Sequence, residues 1–163
     1  MMLRMSHGRT IGYQEYVALP EWGIDRLLAK SDTGARSSAL DAKNIVELEG
    51  ERVRFDIALS RKNRDRTVTV EADIVRRTKV RSSHGHSSDR LVVRCPLHVG
   101  PVFKMIEVTL VSRRRMICRM LLGRTAMADT FLVDSGRRFV LSEPRKKRKK
   151  KSAAKENRKP SKR

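Results

Sequence analysis

The chain has 163 residues, of which 39% are hydrophobic and 34% are charged, and its formal net charge is +20. This length suits one domain, no apolar run is long enough to span a membrane, and the N-terminus lacks the apolar core of a secretory signal. The two cysteines, Cys95 and Cys118, show no CxxC spacing, so we expect no disulfide scaffold and no structural zinc site in a cytoplasmic protein with reduced thiols.

Short apolar segments bounded by turn residues predict strands along most of the chain. In chain order, these segments cover residues 13–19, 25–30, 53–59, 67–75, 91–99, 102–111 and 116–122. Residues 91–110 are predicted to form a hairpin, because Gly100 and Pro101 give a turn signal between two apolar runs. Residues 124–130 form the one segment that favours a short helix.

A second hairpin is predicted near the end of the folded part. Residues 131–133 and 138–141 flank Asp134, Ser135 and Gly136, a combination typical of tight turns. Many short strands with one short helix predict an all-β fold, a closed barrel or a sandwich. The domain is expected to cover residues 11–143, after a flexible N-terminus at residues 1–10.

Residues 144–163 are expected to form a disordered tail, because they show no apolar periodicity. Residues 145–163 carry twelve Lys or Arg against one Glu. Two interpretations remain open. The tail is either a solvated segment that aids solubility, or a nonspecific electrostatic tether to RNA, ribosomes or acidic protein, which salt would weaken steeply.

Two short motifs carry the chemistry. Asp32-Thr33-Gly34-Ala35 follows an apolar strand, and Leu121-Leu122-Gly123-Arg124 precedes the predicted helix. Alone, the first motif is weak evidence, because Asp, Thr and Gly are common in turns and a turn aspartate accepts backbone N–H bonds. Together and in this order, the two motifs resemble the active-site loop and the second signature of retropepsins.

The resemblance extends over about residues 10–143 to one bacterial and archaeal family. That family was long labelled an ATP-dependent zinc protease and is now described as retropepsin-like. Further matching positions are Glu15, Pro20, Ala29, Lys30, Ser37, Ser38, Ala39, Leu40, Ala42, Ser82, Ser83, Gly85, Arg90, Thr109, Leu110, Arg113, Met116, Val133 and Asp134.

The resemblance implies a peptidase in which two aspartates share one proton and activate a water molecule. Asp32 is then the catalytic residue, Thr33, Gly34 and Ala35 shape its loop, and the second motif supports that loop through its last three residues, Leu122, Gly123 and Arg124. Since the chain holds one such loop, the second aspartate must come from another copy, and we expect a homodimer.

One position departs from the viral pattern. There the residue after DTGA is usually acidic and pairs with the arginine of the second motif, whereas this chain has Arg36. Arg124 therefore needs another partner, and Asp41, Asp129 and Asp134 are equally open candidates. Arg36 itself is either a solvated surface residue or a residue that favours acidic substrates.

Residues 82–90 form a polar stretch that contains Ser83, Gly85 and Arg90. They are either a flap that closes over substrate or an ordinary mobile loop. His84 and His86 give an HxH pair, but a zinc peptidase needs a third ligand and a base. There is also no GxxxxGK[ST] phosphate loop, so we expect neither a metal nor another cofactor.

Two functions follow from these observations. The first is an aspartic endopeptidase that acts on a protein or peptide. Because the resembled family often neighbours ligases that add glutamates to a ribosomal protein, an acidic or glutamylated substrate is implied. The second is a non-catalytic RNA- or ribosome-binding β domain that uses its basic tail.

Overall fold

A computed structural model describes residues 8–81, 87–112 and 114–144 of the chain. Within these ranges most residues lie in strands, and no helix there is long and apolar enough to cross a bilayer. The elements are β1 (Arg9–Gly12), β2 (Gln14–Leu19), a 3₁₀ turn (Pro20–Trp22), β3 (Ile24–Ser31), β4 (Ser38–Leu48), β5 (Arg52–Ala58), β6 (Thr67–Arg81), β7 (Ser87–Val99), β8 (Val102–Val111), β9 (Met120–Leu122), helix α1 (Arg124–Met127) and β10 (Phe131–Asp134).

Eight strands form one sheet in the order β2-β3-β9-β4-β5-β6-β7-β8. Two further pairings close this sheet, since β4 runs parallel to β8 and β2 meets β7 at Ala18 and His98. Closure pairs strand edges that would otherwise expose unbonded backbone groups. The prediction of an all-β closed fold with one short helix near its C-terminal end is confirmed.

The interior of the closed sheet is apolar. The period-two pattern predicted for β5 is confirmed, because Val53, Phe55 and Ile57 are each 0% exposed. The predicted hairpin of residues 91–110 is confirmed as well, since β7 and β8 pair antiparallel up to Val99 and Val102. Burial of these aliphatic and aromatic side chains is the main stabilising contribution to the domain.

Strand β4 was not predicted. It contains the polar residues Ser38 and Asp41, both at most 1% exposed, so the apolar alternation that marks a strand is missing. A bulge between Lys43 and Val46 interrupts the pairing with β5, and Asn44 there has a positive φ of 52°. Because buried polar side chains and the bulge interrupt the period-two pattern, hydrophobic periodicity does not predict this strand.

Three predicted boundaries were wrong. The strand predicted at residues 116–122 is limited to β9, and the predicted helix ends at Met127. Residues 87–90, which were placed between strands in the polar stretch read as either a flap or a loop, belong to β7. Polar residues form strand there because they pair with β6, Arg90 lying opposite Thr78, through backbone bonds that require no apolar side chains.

The predicted C-terminal hairpin was also wrong. Asp134 does accept a turn bond from the N–H of Gly136 (2.9 Å), but residues 138–141 form no strand. Strand β10 instead pairs in parallel with β1, Phe131 lying opposite Arg9. Residues 9 and 10 thus lie in a strand, and the other predicted domain boundaries stay predictions.

A buried carboxylate holds the segment that follows β10. Glu15, which is 1% exposed, accepts backbone N–H bonds from Gly12, Val140 and Leu141 through Oε1 (2.8, 2.8 and 3.1 Å). Its Oε2 accepts bonds from the N–H and the hydroxyl of Ser142. The backbone donors of residues 140–142 therefore find their acceptor in a side chain instead of a partner strand.

We expect Glu15→Gln to lower the free energy of unfolding by about 2 kcal/mol at neutral pH, because charge-assisted hydrogen bonds lose their ionised acceptor. Burial raises the pKa of Glu15, but the bonds from Gly12, Ser142 and Leu141 outweigh burial and leave the pKa below its usual value of 4.5. The ionised side chain thus stabilises the fold above pH 4.5, and this stabilisation is lost as the pH falls through the lower folded-state pKa.

Urea unfolding of wild type and variant between neutral and acidic pH measures this difference. The exposed control Glu49→Gln should change stability by less than about 0.5 kcal/mol. A difference between Glu15→Gln and wild type that stays constant down to acidic pH would contradict the expectation.

Candidate active site

The Asp-Thr-Gly-Ala motif lies where three strands meet. Strand β9 pairs in parallel with β3, Ser31 opposite Leu122, and antiparallel with β4, Ala39 opposite Leu121. Residues 32–37, here called the aspartate loop, therefore connect the two strands on either side of β9. The structure thus brings together the two motifs that lie about ninety residues apart in the chain.

The backbone of Asp32 and one of its carboxylate oxygens are held in place. Its N–H donates to the carbonyl of Leu122 (2.9 Å), and its Oδ1 accepts the N–H groups of Gly34 (3.1 Å) and Ala35 (3.2 Å). These bonds are also those of an ordinary turn aspartate. Oδ2 accepts no hydrogen bond from any residue that the structure describes, and the side chain is only half-buried.

Gly123 explains why the second motif needs glycine. A Cβ atom at this position would lie 2.5 Å from the carbonyl carbon of Ser37, closer than any side chain tolerates. The N–H of Gly123 donates to the buried Ser38 hydroxyl (3.0 Å). Close approach of the two backbones is thus required to place the aspartate loop beside β9.

Arg124 binds the aspartate loop through backbone carbonyls. Its N–H donates to the carbonyl of Ala35 (2.9 Å), and its Nη1 donates to the carbonyls of Thr33 (3.1 Å) and Gly34 (3.0 Å). With Arg36 in place of an acidic residue, the guanidinium supports the loop without a carboxylate.

None of the three carboxylates considered for Arg124 pairs with it in the described part of the chain. Asp41 instead pairs with Arg119 and Arg64, and Asp134 pairs with Arg137. Asp129, the remaining candidate, makes no ion pair with Arg124 among these residues.

Thr33 and Gly34 are exposed at the tip of the loop. A Cβ atom on Gly34 would lie 3.4 Å from Asp32 Oδ1, an ordinary contact distance, and would meet no other described atom within 4 Å. Within one chain, sterics therefore do not demand glycine at this position. The hydroxyl of Thr33 likewise forms no hydrogen bond with the residues described.

A groove of about 660 Å³ begins where the aspartate loop ends. Arg36 and Ser37 line one end of it, Thr125 and Ala126 of α1 lie beside them, and strands β6, β7 and β8 supply the other walls. Asp32 is not among the lining residues. We call this feature the Arg36 groove, because its walls carry that exposed arginine four residues after the aspartate.

The two arginines that line the Arg36 groove differ in whether an acidic residue already neutralises them. Arg76 on β6 is paired with Glu107 on β8 (2.9 Å). Arg36 forms no ion pair with any residue in the described ranges, and it anchors the loop only through its carbonyl, which accepts bonds from the N–H and hydroxyl of Thr125 (both 3.1 Å). Its guanidinium is therefore the one available to a ligand in this groove.

The structure describes only part of residues 82–90, which were interpreted as either a flap or an ordinary loop. Ser83 and Gly85 lie outside the described residues, and so do His84 and His86. Arg90 lies in β7 opposite Thr78 of β6, and Thr78 lines the Arg36 groove. The two strands of this arm therefore continue from the groove wall. Within the described ranges no three His, Cys, Asp or Glu side chains are placed to hold a metal ion.

Two serines support the site, and of these only Ser38 was given an interpretation from the sequence. The Ser31 hydroxyl donates to the carbonyl of Gly12 (2.9 Å), and Ser38 binds Gly123 as described above. Ser37 and Ser38 look like turn or cleft-wall hydroxyls, and Ser37 does line the Arg36 groove. The signal in the sequence is their position near the motif, since Ser31 directly precedes Asp32 and Ser38 follows Ala35 by three positions.

Comparison with known proteins gives matches over the same part of the chain. A family model described as retropepsin-like aspartic endopeptidase RimB matches residues 10–144. A protein of unknown function from Legionella pneumophila, solved by crystallography, is 30% identical with a TM-score of 0.70 over 82% of this chain and 98% of that one.

Curated relatives carry a different name. A probable alpha-L-glutamate ligase from Shewanella pealeana is 37% identical over 136 residues. One from Desulfotalea psychrophila is 35% identical over 138 residues. These matches cover 82% and 83% of this chain but only 30% of each relative, so the chain spans less than a third of the length of these proteins.

Proposed function

The chain belongs to the family of retropepsin-like aspartic endopeptidases described by the RimB model, and from this premise we propose that it is a cytoplasmic, homodimeric endopeptidase whose two Asp32 carboxylates activate a water molecule. The observation that carries the proposal is the position of Asp32. One oxygen is fixed by backbone N–H groups, the other is unbonded among the described residues, and the loop is clamped by Gly123 and Arg124.

A second copy supplies what one chain lacks. The exposed Thr33 hydroxyl is without a partner among the residues described here, and the absence of a Cβ on Gly34 relieves no contact within the chain. Both features are useful if an identical loop approaches across a two-fold axis. Gly34 would then let the two backbones come close, and the two Thr33 side chains would bind across the axis.

The geometry then performs general acid–base catalysis. Two carboxylates about 3 Å apart hold a single proton between them. The ionised one removes a proton from water, and the protonated one donates its proton to the oxygen of the scissile carbonyl. In this chain the bonds from Gly34 and Ala35 to Oδ1 orient each carboxylate before substrate arrives.

We further propose that the substrate is acidic. In the curated relatives this domain is part of longer proteins named probable alpha-L-glutamate ligase, and glutamate carries a carboxylate side chain. The Arg36 guanidinium lies in a groove next to the aspartate loop. Residues 1–144 carry twenty-six Lys or Arg against seventeen Asp or Glu, which favours encounter with an anionic chain.

Arg36→Glu should lower kcat/KM for a glutamate-rich peptide by about tenfold or more, because the charge that attracts the substrate is reversed. Cleavage of the matched glutamine-rich peptide should change less than about threefold. The readout is the ratio of the two rates, measured with fluorogenic peptides at a protein concentration where the chain is dimeric.

Arg54→Glu makes the same charge change at an exposed position on β5 and is the matched control. Equal loss of acidic-peptide cleavage in both variants would assign the preference to net charge and remove Arg36 from the proposal. If the wild-type dimer cleaved neither peptide, the endopeptidase assignment itself would fail.

The basic tail supports a second candidate, a non-catalytic RNA- or ribosome-binding domain. Its support is the charge of residues 145–163, with twelve basic residues and one acidic residue. In that case Asp32→Asn leaves function unchanged, whereas deletion of residues 145–163 removes binding in a salt titration.

A further inference from the structure

Two basic segments meet at one side of the domain. Residues 59–66, which connect β5 to β6, and residues 114–119, which precede β9, are joined through a buried carboxylate. Asp41 Oδ2 accepts bonds from Nη1 of Arg64 (3.0 Å) and from Nη1 of Arg119. The pair of segments is therefore held in a defined arrangement by the core of the domain.

A groove of about 540 Å³ lies beside this junction, here called the basic groove. Its basic lining residues are Arg26, Arg61, Lys62, Arg66 and Arg119. Of the described residues that line it, none is acidic. Such a surface carries several positive charges without neutralisation from its own walls, which favours an anionic occupant.

Arg119 gives independent evidence for a ligand. It is only 2% exposed, and besides Asp41 it binds the carbonyl of Met116. Its Nε is a buried donor that has no hydrogen-bond partner within the described part of the chain. Burial lowers the pKa of Arg119 and, although Asp41 opposes this, the charges of Arg64 and Arg61 lower it further. An anion in the groove would offset that repulsion.

A second, smaller groove extends the positive surface. It encloses about 300 Å³ and is lined by Lys43, Arg64 and Arg114, together with Asn44, Ser112 and Asp65. Arg64 and Asp65 belong to the segment that also supplies Arg61, Lys62 and Arg66 to the basic groove. Two adjacent basic grooves fit an extended polyanion with repeated charges better than a single small anion.

Arg26 distinguishes a nucleic acid from an acidic peptide. Its guanidinium carbon lies 3.7 Å from the centroid of the Tyr16 ring, which is itself stacked on Phe139 at 5.0 Å. Nη2 of Arg26 donates to the carbonyl of Glu143 (2.6 Å). An edge of the exposed guanidinium is thus already used, whereas peptide carboxylates bind through edges. A flat cation held on a ring is a platform on which unpaired bases stack.

We propose that the basic groove binds single-stranded nucleic acid, with its arginines on the phosphates and Arg26 stacked against a base. The site is separate from the aspartate loop. Leu28, which lines the groove, precedes Asp32 by four positions along β3, a separation of roughly 13 Å. The site is also separate in sequence from the basic tail, since it belongs to the folded domain.

The test uses the full chain and a fluorescein-labelled oligouridylate of about 12 nucleotides, with binding followed by anisotropy over a range of KCl concentrations. Arg61→Ala/Arg66→Ala should weaken binding about tenfold at physiological salt. The slope of log K against log salt should become shallower by about 1.4, because two phosphate contacts are lost. Both residues are exposed, so the fold should persist, and thermal unfolding checks this.

The matched control is Arg54→Ala/Arg94→Ala, which removes two exposed arginines from β5 and β7. It should change affinity less than about threefold and leave the salt slope near that of wild type. An equal loss in both double variants would show that only net charge and the tail bind, and would overturn the proposal. Unchanged binding by Arg61→Ala/Arg66→Ala would overturn it as well.

Arg26→Lys tests the identity of the ligand, since it keeps the charge but removes the flat guanidinium. It should weaken oligouridylate binding about fivefold and leave binding of inorganic polyphosphate, which has no bases, unchanged. Oligouridylate binding as tight as wild type would overturn the nucleic-acid assignment. If an oligoglutamate peptide bound more tightly than oligouridylate, and if this binding depended on Arg61 and Arg66, the ligand would be acidic protein and the nucleic-acid assignment would be overturned. Asp32→Asn should bind oligouridylate like wild type, which separates this site from peptidase activity.

Discussion

Replacing Asp32 by Asn is expected to lower peptide cleavage by at least about 10³-fold and to leave the fold and the dimer intact. The Asn side chain keeps a carbonyl oxygen that can accept the N–H bonds of Gly34 and Ala35. It cannot become an anion, so the pair of side chains loses the base that deprotonates water. The loss is therefore one of chemistry and not of loop structure.

Initial rates with a fluorogenic peptide measure this effect, and size-exclusion chromatography with light scattering checks the dimer. Asp73→Asn is the matched control, because the Asp73 side chain is 87% exposed and the change of charge is the same. Cleavage by Asp32→Asn within about tenfold of wild type would refute the assignment of this aspartate.

Mixing the two proteins tests whether both copies are needed. After equilibration of equal amounts, random pairing leaves about a quarter of the dimers with two intact aspartates. We expect about a quarter of the activity of the same total amount of wild type. About half would remain if each chain worked alone, and that result would contradict the shared site.

The largest expected effect on stability comes from the buried cluster of Asp41, Arg119 and Arg64. Asp41→Asn should lower the free energy of unfolding by about 4 kcal/mol, because it leaves a buried cation without its counter-charge. The Asp41 side chain is 0% exposed and that of Arg119 is 2% exposed, whereas Arg64 is 24% exposed and can turn to water. Most of the loss therefore arises from Arg119.

Urea unfolding of a double-mutant cycle separates this interaction from other effects. Asp41→Leu/Arg119→Met should be more stable than the sum of its single variants predicts, with a coupling of about 1–3 kcal/mol. Asp73→Asn again serves as the exposed control and should change stability by less than about 0.5 kcal/mol. A cost below about 1 kcal/mol for Asp41→Asn would show that the cluster does not stabilise the domain.

Local pattern was sufficient for much of the fold. The alternation of Val53, Phe55 and Ile57 predicted β5, and Gly100 and Pro101 predicted the turn between β7 and β8. These elements were predictable because inward-facing residues are apolar and turn residues have special backbone preferences. Their burial and pairing follow directly from residues that are neighbours in the chain.

Contacts between distant residues decided the rest. Glu15 accepts hydrogen bonds from residues 140–142, which therefore do not form the expected hairpin strand. Asp41, which lies in the unpredicted β4, binds Arg119. In both places a buried carboxylate meets donors that lie tens of residues away, so no local period marks the element. The partner of Arg124 was undecidable for the same reason, since the acceptors proved to be backbone carbonyls.

The amino-acid sequence by itself determined the family, the all-β class and the two motifs that carry the proposed chemistry, because these depend on residue identity and order. Only the tertiary structure decided how the motifs support each other and where the charged grooves lie. Such features depend on which side chains from distant strands share a small volume, and folding alone brings those side chains together.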